Sequence, residues 1–575
     1  MTENTEHEKR KTLKIRLIGI NARYSHSCLA LFYLRNELEK RLSTTGIEIC
    51  QFTINDPYYT LLQRLADNPA PYLFFSALIW NSDLVERLIG DLLAIDEQLR
   101  IVVGGPQATI VGENCHQSDR LTIFRGDIEA AAPEFFEDLQ KGTLQKFYQA
   151  SFLQSTNRAL GYPYRDEDFS LHLRDRAVYY ESSRGCPFFC SYCLSSSEKG
   201  VFHKDLDQVF GELDDILSHG PETVRFVDRT FNDNPDRALA IWRYLVDKDP
   251  AALFHFEIAP DRFTEPMFDF LEKVRPGLFQ FEIGIQSTNP ETLEAIRRPI
   301  DSLAAGETIR RLRDRENIHL HADLILGLPF ETKETFAASI NGIWAMQPHY
   351  IQMGLLKLLP GTEIRRQALT WEYKAAAKPP YPVLANRWLD EQTLRGLYWL
   401  GECLEQCVNN RYFPTLWRYF LDCEEDMAAF FTSLAQRFYD QGYFWKAATQ
   451  KTLVRLLVEE CEGRGDYFLV RELICFDWLR CGHRFLPEQL CYQEEAIDEL
   501  RRNLYHRLPQ ELVGLYSARE RKNFIKTSVF HRFSSRALHL AGLDPQTDSA
   551  LVCFLNERDS SVYRLNKTCL MQITD

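Results

Sequence analysis

Three cysteines carry the sharpest chemistry in this 575-residue sequence. They stand in the run Arg184-Gly185-Cys186-Pro187-Phe188-Phe189-Cys190-Ser191-Tyr192-Cys193, with three residues between the first pair and two between the second. Thiolates at that spacing wrap one face of a cubane iron–sulfur cluster from a single tight loop. A fully protein-ligated cluster takes four cysteines. Three leave one iron open, by the logic that keeps a position free in a catalytic zinc site. An open iron can take the amino and carboxylate groups of a methionine moiety, and an electron from the cluster then breaks a carbon–sulfur bond homolytically. The plainer readings are a structural zinc site with a distant fourth ligand, or three unrelated core thiols. The glycine ahead of the triplet, the aromatic before its last cysteine and the strand pattern upstream favour the cluster.

The segment resembles the signature of the radical S-adenosylmethionine superfamily, and the likeness continues in order over about 177–365. It implies a 4Fe-4S cluster on Cys186, Cys190 and Cys193, reductive cleavage of S-adenosylmethionine, and a reduced flavodoxin- or ferredoxin-type electron donor. Tyr192 matches the aromatic whose backbone approaches adenine. Asp228, in Phe226-Val-Asp-Arg-Thr-Phe231, matches the segment that faces the methionyl group. Glu257 and Glu282 fall at or near the ends of the next two strands. The Gly284-Ile-Gln286-Ser287 run is characteristic of the subgroup with an N-terminal cobalamin domain. Asp323, in Asp-Leu-Ile-Leu-Gly327-Leu-Pro329, and Leu358-Leu-Pro360-Gly361-Thr362 match that subgroup's late strand and final loop. Each acid also has a bland reading, since a carboxylate at a strand end can cap a helix or meet an arginine.

A βα series must position these residues. Strand patterns at 178–182, 224–227, 253–258, 279–285, 320–326 and 351–356 alternate with helical ones at 206–218, 235–246 and 303–313. Six such units predict a partial (β/α)6 TIM-type barrel over 172–375, with its chemistry at the carboxyl ends of the strands. Residues 13–145 hold an earlier series, with strands at 15–20, 47–52, 72–77, 100–103 and 121–124. This predicts a doubly wound, Rossmann-like α/β domain with parallel strands. Ligands sit beyond the carboxyl edge of such a sheet. The loops there contain Asn21, Tyr24 and His26, then Ser76 and Asn81, then Gly104 and Gly105, then Gly126. The arrangement resembles the cobalamin-binding domain of cobalamin-dependent members, which makes those residues candidate cofactor contacts. The Asp-x-His-x-x-Gly motif that supplies a lower cobalt ligand elsewhere is absent from the first loop, and His26 is the histidine near it. Losing the ligand and only packing on the barrel is the alternative.

Residues 1–12 read as a polar tail and 146–171 as an irregular linker. After the break at Lys378-Pro379-Pro380-Tyr381-Pro382, 383–575 reads as mainly helical, with a strand pair near 551–565. That region resembles a domain of unknown function found behind the barrel in one cobalamin-binding subgroup. Cys403 and Cys407 lie one helical turn apart among leucines and read as core. Cys475, Cys481, His483 and Cys491 lack zinc-site spacing. A methylthiotransferase would place a second cluster on three N-terminal cysteines, but Cys28 opens a helix pattern and Cys50 lies in a strand pattern, with Cys115 the third. The small β-barrel that ends that family has no counterpart here. A radical cyclase or a non-catalytic cobalamin sensor stay open alongside a cobalamin-dependent methyltransferase. The net charge of −14, from 67 basic and 81 acidic residues, argues against broad nucleic-acid binding. No stretch of about 18 apolar residues predicts a membrane span. Fifteen scattered cysteines behind a polar start are expected of a reduced, cytoplasmic chain.

Overall fold

The computed structural model describes residues 13–491, 506, 528–557 and 567–573, apart from 43–44, 68–69, 116–117, 157 and 546–547. The tail 1–12 lies outside the described residues. Strands β1 (Leu13–Asn21), β2 (Thr45–Thr53), β3 (Tyr72–Ser76), β4 (Arg100–Gly104), β5 (Leu121–Gly126) and β6 (Phe147–Ala150) form one sheet in the order β2-β1-β3-β4-β5-β6. Every pairing is parallel. Both faces are covered, which is why the strands are nearly continuous apolar runs. Leu17, Phe74 and Val102 pack with Phe32 and Phe135 on one side, and Ile18, Phe75 and Val103 with Leu62 and Leu88 on the other. The strand order reverses between β1 and β3, where a doubly wound sheet opens its ligand crevice.

Residues 146–171 are not the irregular linker that their polarity predicts. They supply β6, which pairs with β5 through Gly126 and Ala150, and a helix over Asp166–Leu171. Four residues are too few to show a periodicity. The helix is pinned by a charge that the sequence does not pair: Arg35, on the helix Leu29–Arg41, donates to both oxygens of Asp168 at 2.6 and 2.7 Å. Their side chains are only 6% and 1% exposed.

The second sheet is the partial barrel. Strands β7 (Val178–Tyr180), β10 (Thr223–Phe226), β11 (Leu253–Ile258), β12 (Phe279–Gln286), β13 (His319–Leu326) and β14 (Tyr350–Leu355) run parallel in that spatial order. Between β7 and β10 the chain leaves the barrel to form an antiparallel hairpin, β8 (Ser183–Cys186) and β9 (Gly200–His203). The sequence reading ran the first barrel strand to residue 182. It stops at Tyr180 because Ser182 and Ser183 turn to bond Asp228 instead.

Beyond a short ladder, β15 (Lys374–Ala375) with β16 (Val383–Ala385), five helices span Glu391–Leu404, Pro414–Asp422, Met427–Asp440, Gln450–Cys461 and Tyr467–Arg480. The expected C-terminal strand pair is part of a three-stranded antiparallel sheet, β17 (Val529–Ser534), β18 (Ser549–Glu557) and β19 (Lys567–Ile573). Its first strand lies in a stretch read as helical. Cys403 and Cys407 are fully buried. A π-helical turn over Glu405–Asn409 continues the first helix and presents Asn409 to the free edge of β14. The Asn409 amide donates to the carbonyl of Ile351 at 2.8 Å and accepts from its N–H at 3.0 Å.

Breaking a buried bidentate pair strands one charge and costs about 3–5 kcal/mol. Asp168→Ala is therefore expected to lower the unfolding free energy, read from denaturant titration, by that amount. A loss under about 1 kcal/mol, the scale of an exposed pair, would show that Arg35 is not what holds the segment.

Candidate active site

Cys186 ends β8, and the loop that follows carries the other two cysteines. Gly185 makes the turn into it at φ +106°, where a Cβ would sit 2.2 Å from the Gly200 carbonyl. The loop is tied down by backbone bonds to distant segments, Ser191 N–H to Ile296 O and Ile364 N–H to Ser191 O, both 2.9 Å. Cys186 and Cys190 are buried among Phe188 and Ala259, with Tyr192 and Cys193 packed alongside. All three thiols are free. Tetrahedral ligation of one zinc would bring the sulfurs to about 3.8 Å from one another. Among the described residues these three sulfurs are not gathered to within 4.8 Å of one another.

Arg298 is the cation at this loop. Its guanidinium donates to the Gly284 carbonyl at 2.8 Å, reaches the Cys190 sulfur at 4.0 Å and lies 5.0 Å over the Phe188 ring. Burial pushes the Cys190 thiol up while Arg298 pulls it down toward the thiolate. Sequence reasoning missed Arg298. The only trace is a pair of arginines before Pro299, which has no spacing signature.

The other acids sort into a wall and a brace. On β12 the residues Phe279, Phe281, Ile283 and Ile285 are buried, and Gln280, Glu282, Gly284 and Gln286 alternate onto the opposite face. Register sets Glu257 beside Glu282, Gly284 beside Asp323, and Asp323 beside Gln352. Glu282 accepts from His255 at 3.0 Å, and that bond holds its carboxyl below the usual range. Burial, then the Glu282 charge, pushes Asp323 well up. Its Oδ1 is buried with no hydrogen-bond partner among the described residues. Burial pushes Glu257 to about 7, against the pull of Arg229. Gln286 follows a bulge at φ +71° and folds back over Gly284, where a Cβ would meet its Nε2 at 2.2 Å. Asp228 is the brace. Its oxygens accept from the Ser182 N–H at 3.0 Å and from the Ser182 and Ser183 hydroxyls at 2.6 Å. It holds the root of the cysteine hairpin and does not join the wall.

A cavity of about 650 Å³ joins this loop to the N-terminal sheet. Asn21, Ser76 and Trp80 line it from the sheet edge, and Gly185, Ser195 and Arg229 from the barrel. A slot of about 170 Å³ continues between the strand ends past Gly104, Gly105 and Gly126. Other predicted contacts fall elsewhere. Asn81 is buried beneath the loop, its amide donating to the Ile20 and Ser76 carbonyls and accepting from the Leu78 N–H. Tyr24 is 61% exposed under the Arg176 guanidinium. His26 lines the cavity, but its Nδ1 is hydrogen-bonded to the Tyr179 phenol of the barrel. Arg184, also missed, reaches three carboxylates: Glu181 at 2.8 Å, Glu129 at 2.9 Å and Asp127 at 3.3 Å.

Residues 180–342 match the family model of the radical SAM superfamily, and 369–552 match a protein family of unknown function, DUF4080. An uncharacterized methyltransferase, PH0819 of Pyrococcus horikoshii, is 26% identical over 309 residues, covering 49% of this chain and 64% of that protein. The ribosomal protein uS12 methylthiotransferase RimO of Herpetosiphon aurantiacus is 25% identical over 205 residues, 33% of this chain and 43% of its own. The chain thus spans less than two thirds of these curated relatives. The cobalamin-dependent S-adenosylmethionine radical enzyme OxsB, solved with aqua-cobalamin and S-adenosylmethionine bound, shares the fold. Its TM-score is 0.56 at 13% identity, over 90% of this chain and 83% of that one.

A carboxyl raised in the folded state contributes stability below its unfolded pKa and loses it as pH climbs through the folded value. For Glu257 that window runs from 4.5 to about 7. Glu257→Gln cannot ionise, so denaturant titrations should show it gaining on wild type from pH 5 to pH 8, by on the order of 2 kcal/mol. Parallel pH profiles for the two proteins would place Glu257 in water, not in the wall.

Proposed function

We propose, from the premise that the chain belongs to the radical SAM superfamily, that it carries a 4Fe-4S cluster on Cys186, Cys190 and Cys193, cleaves S-adenosylmethionine reductively, and works with cobalamin as a methyl-transferring enzyme. The observation that carries this reading is the cavity shared between the sheet edge and the cysteine loop. A flat group seated on the N-terminal domain there would face whatever the barrel holds. When bound, the cluster supplies the electron that splits S-adenosylmethionine into methionine and a 5′-deoxyadenosyl radical able to take hydrogen from carbon, and cobalamin supplies a transferable methyl group. A reduced flavodoxin- or ferredoxin-type protein is the proposed electron source.

The chain's own part is to bind, orient and exclude water. Arg298, beside Cys190, would attract the ligand's carboxylate to the open corner of the cluster. Tyr192 packs next to the cysteines and would bring its backbone to the adenine. Glu257 and Asp323 offer acceptors for amino or hydroxyl groups. Gln286 adds an amide at the same rim, and Asp228 keeps the hairpin in place. Small residues at Gly104, Gly105 and Gly126 leave the slot open for the tail of a bulky cofactor.

Against the methylthiotransferase reading, Cys28 and Cys50 lie in opposite core layers of the N-terminal sheet, and Cys115 sits by the Glu86 carbonyl. A second cluster on those three would need the sheet taken apart.

Protein purified without oxygen and reconstituted should hold about four iron and four sulfide per chain, and Cys186→Ala, Cys190→Ala, Cys193→Ala together should remove them. Reductant and S-adenosylmethionine should then release 5′-deoxyadenosine, and the corrinoid absorption bands should follow the protein through gel filtration. Zinc in the loop would overturn the cluster. Bound corrinoid without deoxyadenosine would make the chain a sensor, and deoxyadenosine without S-adenosylhomocysteine would favour a cyclase.

A further inference from the structure

A second cavity, of about 420 Å³, opens at the opposite end of the barrel, under the amino-terminal ends of β7 and β10. Its wall carries Arg174, Arg176, Arg225, His26 and His219 against two acids, Asp175 and Glu222. Asp175 lies 4.0 Å from Arg174 in an exposed pair, Glu222 is exposed, and the exposed Asp166 lies 3.7 Å from His219, so none of these acids faces Arg225. Arg225 is the residue that sets the site apart. It sits beside Tyr179 and His255 in the barrel register, on the face opposite buried Val224 and Phe226. It is half-buried, and it makes no hydrogen bond or ion pair among the described residues. A guanidinium has five donors in a planar fork that fits carboxylate or phosphate bidentately, and this one meets no protein acceptor among the described residues.

Arg176 is already held in place. Its guanidinium donates to the His26 carbonyl at 2.9 Å and lies 4.5 Å over the Tyr24 ring. The neighbours register the uncompensated charge: burial, then Arg225, then Arg23 hold His26 below the usual histidine range. His26 alone lines both this cavity and the larger one at the cysteine loop. With its bond to Tyr179 it is the partition between them.

We infer that this basal cavity is an anion-binding site, built on Arg225 and Arg176, for a small molecule bearing a phosphate or a carboxylate. It stands on the far side of the His26–Tyr179 partition from the cofactor cavity and is independent of the reaction proposed above. A ligand here would contact the N-terminal domain through His26 and the barrel through Arg225 at once.

The test is isothermal titration of the full chain with inorganic phosphate, pyrophosphate and citrate, the first two against the third to separate phosphate from carboxylate. At least one should bind saturably with a Kd below about 1 mM. Arg225→Gln should weaken it by about tenfold or more, Arg225→Lys by less, and Arg418→Gln, on a different surface, not at all. If the Arg225 variants fail to fold, Arg176→Gln carries the test, with a loss of the same sign. No saturable binding of any probe would overturn the site, as would binding that survives both Arg225→Gln and Arg176→Gln unchanged.

Discussion

The geometry of the catalytic end turns on Arg184. Its guanidinium lies immediately before the Gly185-Cys186 turn and gathers Glu181 of the barrel with Asp127 and Glu129 of the N-terminal domain. The rings of Tyr33 and Phe152 flank it at 5.5 and 4.9 Å. Three carboxylates about one cation would leave a net negative centre in low dielectric, which is costly. Burial relieves part of that by pushing the Glu129 carboxyl up toward its neutral form. What the cluster of charges fixes is register between two bodies, because a planar fork accepts its partners in few directions. The root of the cysteine loop is thereby referenced to the edge of the other sheet. The shared cavity follows from that.

A closed eight-stranded barrel fills its interior with branched apolar side chains. This one has six strands and an inward row of Arg225, His255, Gln280, Glu282, His321 and Asp323, so it cannot be sealed by packing alone. Its free edge at β14 is met by the C-terminal domain. Asn409 reproduces with one side-chain amide the donor and acceptor that a seventh strand would offer Ile351. Tyr350 donates to Glu405 at 2.6 Å on the same π-helical turn. An extra residue per turn is what lets a helix aim two polar side chains at a strand edge.

The triplet of cysteines, the βα order and the alignment of Glu257, Glu282 and Asp323 were legible because each is a matter of spacing along the chain. Strand periodicity decides which face a residue takes, and register does the rest. Arg184, Arg298 and the Asp228 brace were not legible, since their partners are separated in sequence by 55, 108 and 46 residues. Asp228 shows the cost of reading a position by its type. An aspartate at a strand end looks like a ligand contact, yet two neighbouring serines already occupy it. His26, the histidine near the first loop, meets a partner that the sequence does not announce, because Tyr179 belongs to the other domain. β6 was hidden for a different reason: its four residues are too few to mark a strand period.

The wall of acids survives burial because it does not carry three charges. The bond from His255 holds the Glu282 carboxyl below the usual range, burial and then the Glu282 charge push Asp323 well up, and burial pushes Glu257 to about 7. Each carboxyl also adds to the shift of the next, as interacting sites do. A cation arriving at the wall would meet one carboxyl held low, Glu282, beside two that are pushed up. At Glu257 it would displace a proton, so the affinity of that position for a cation rises as pH rises through about 7.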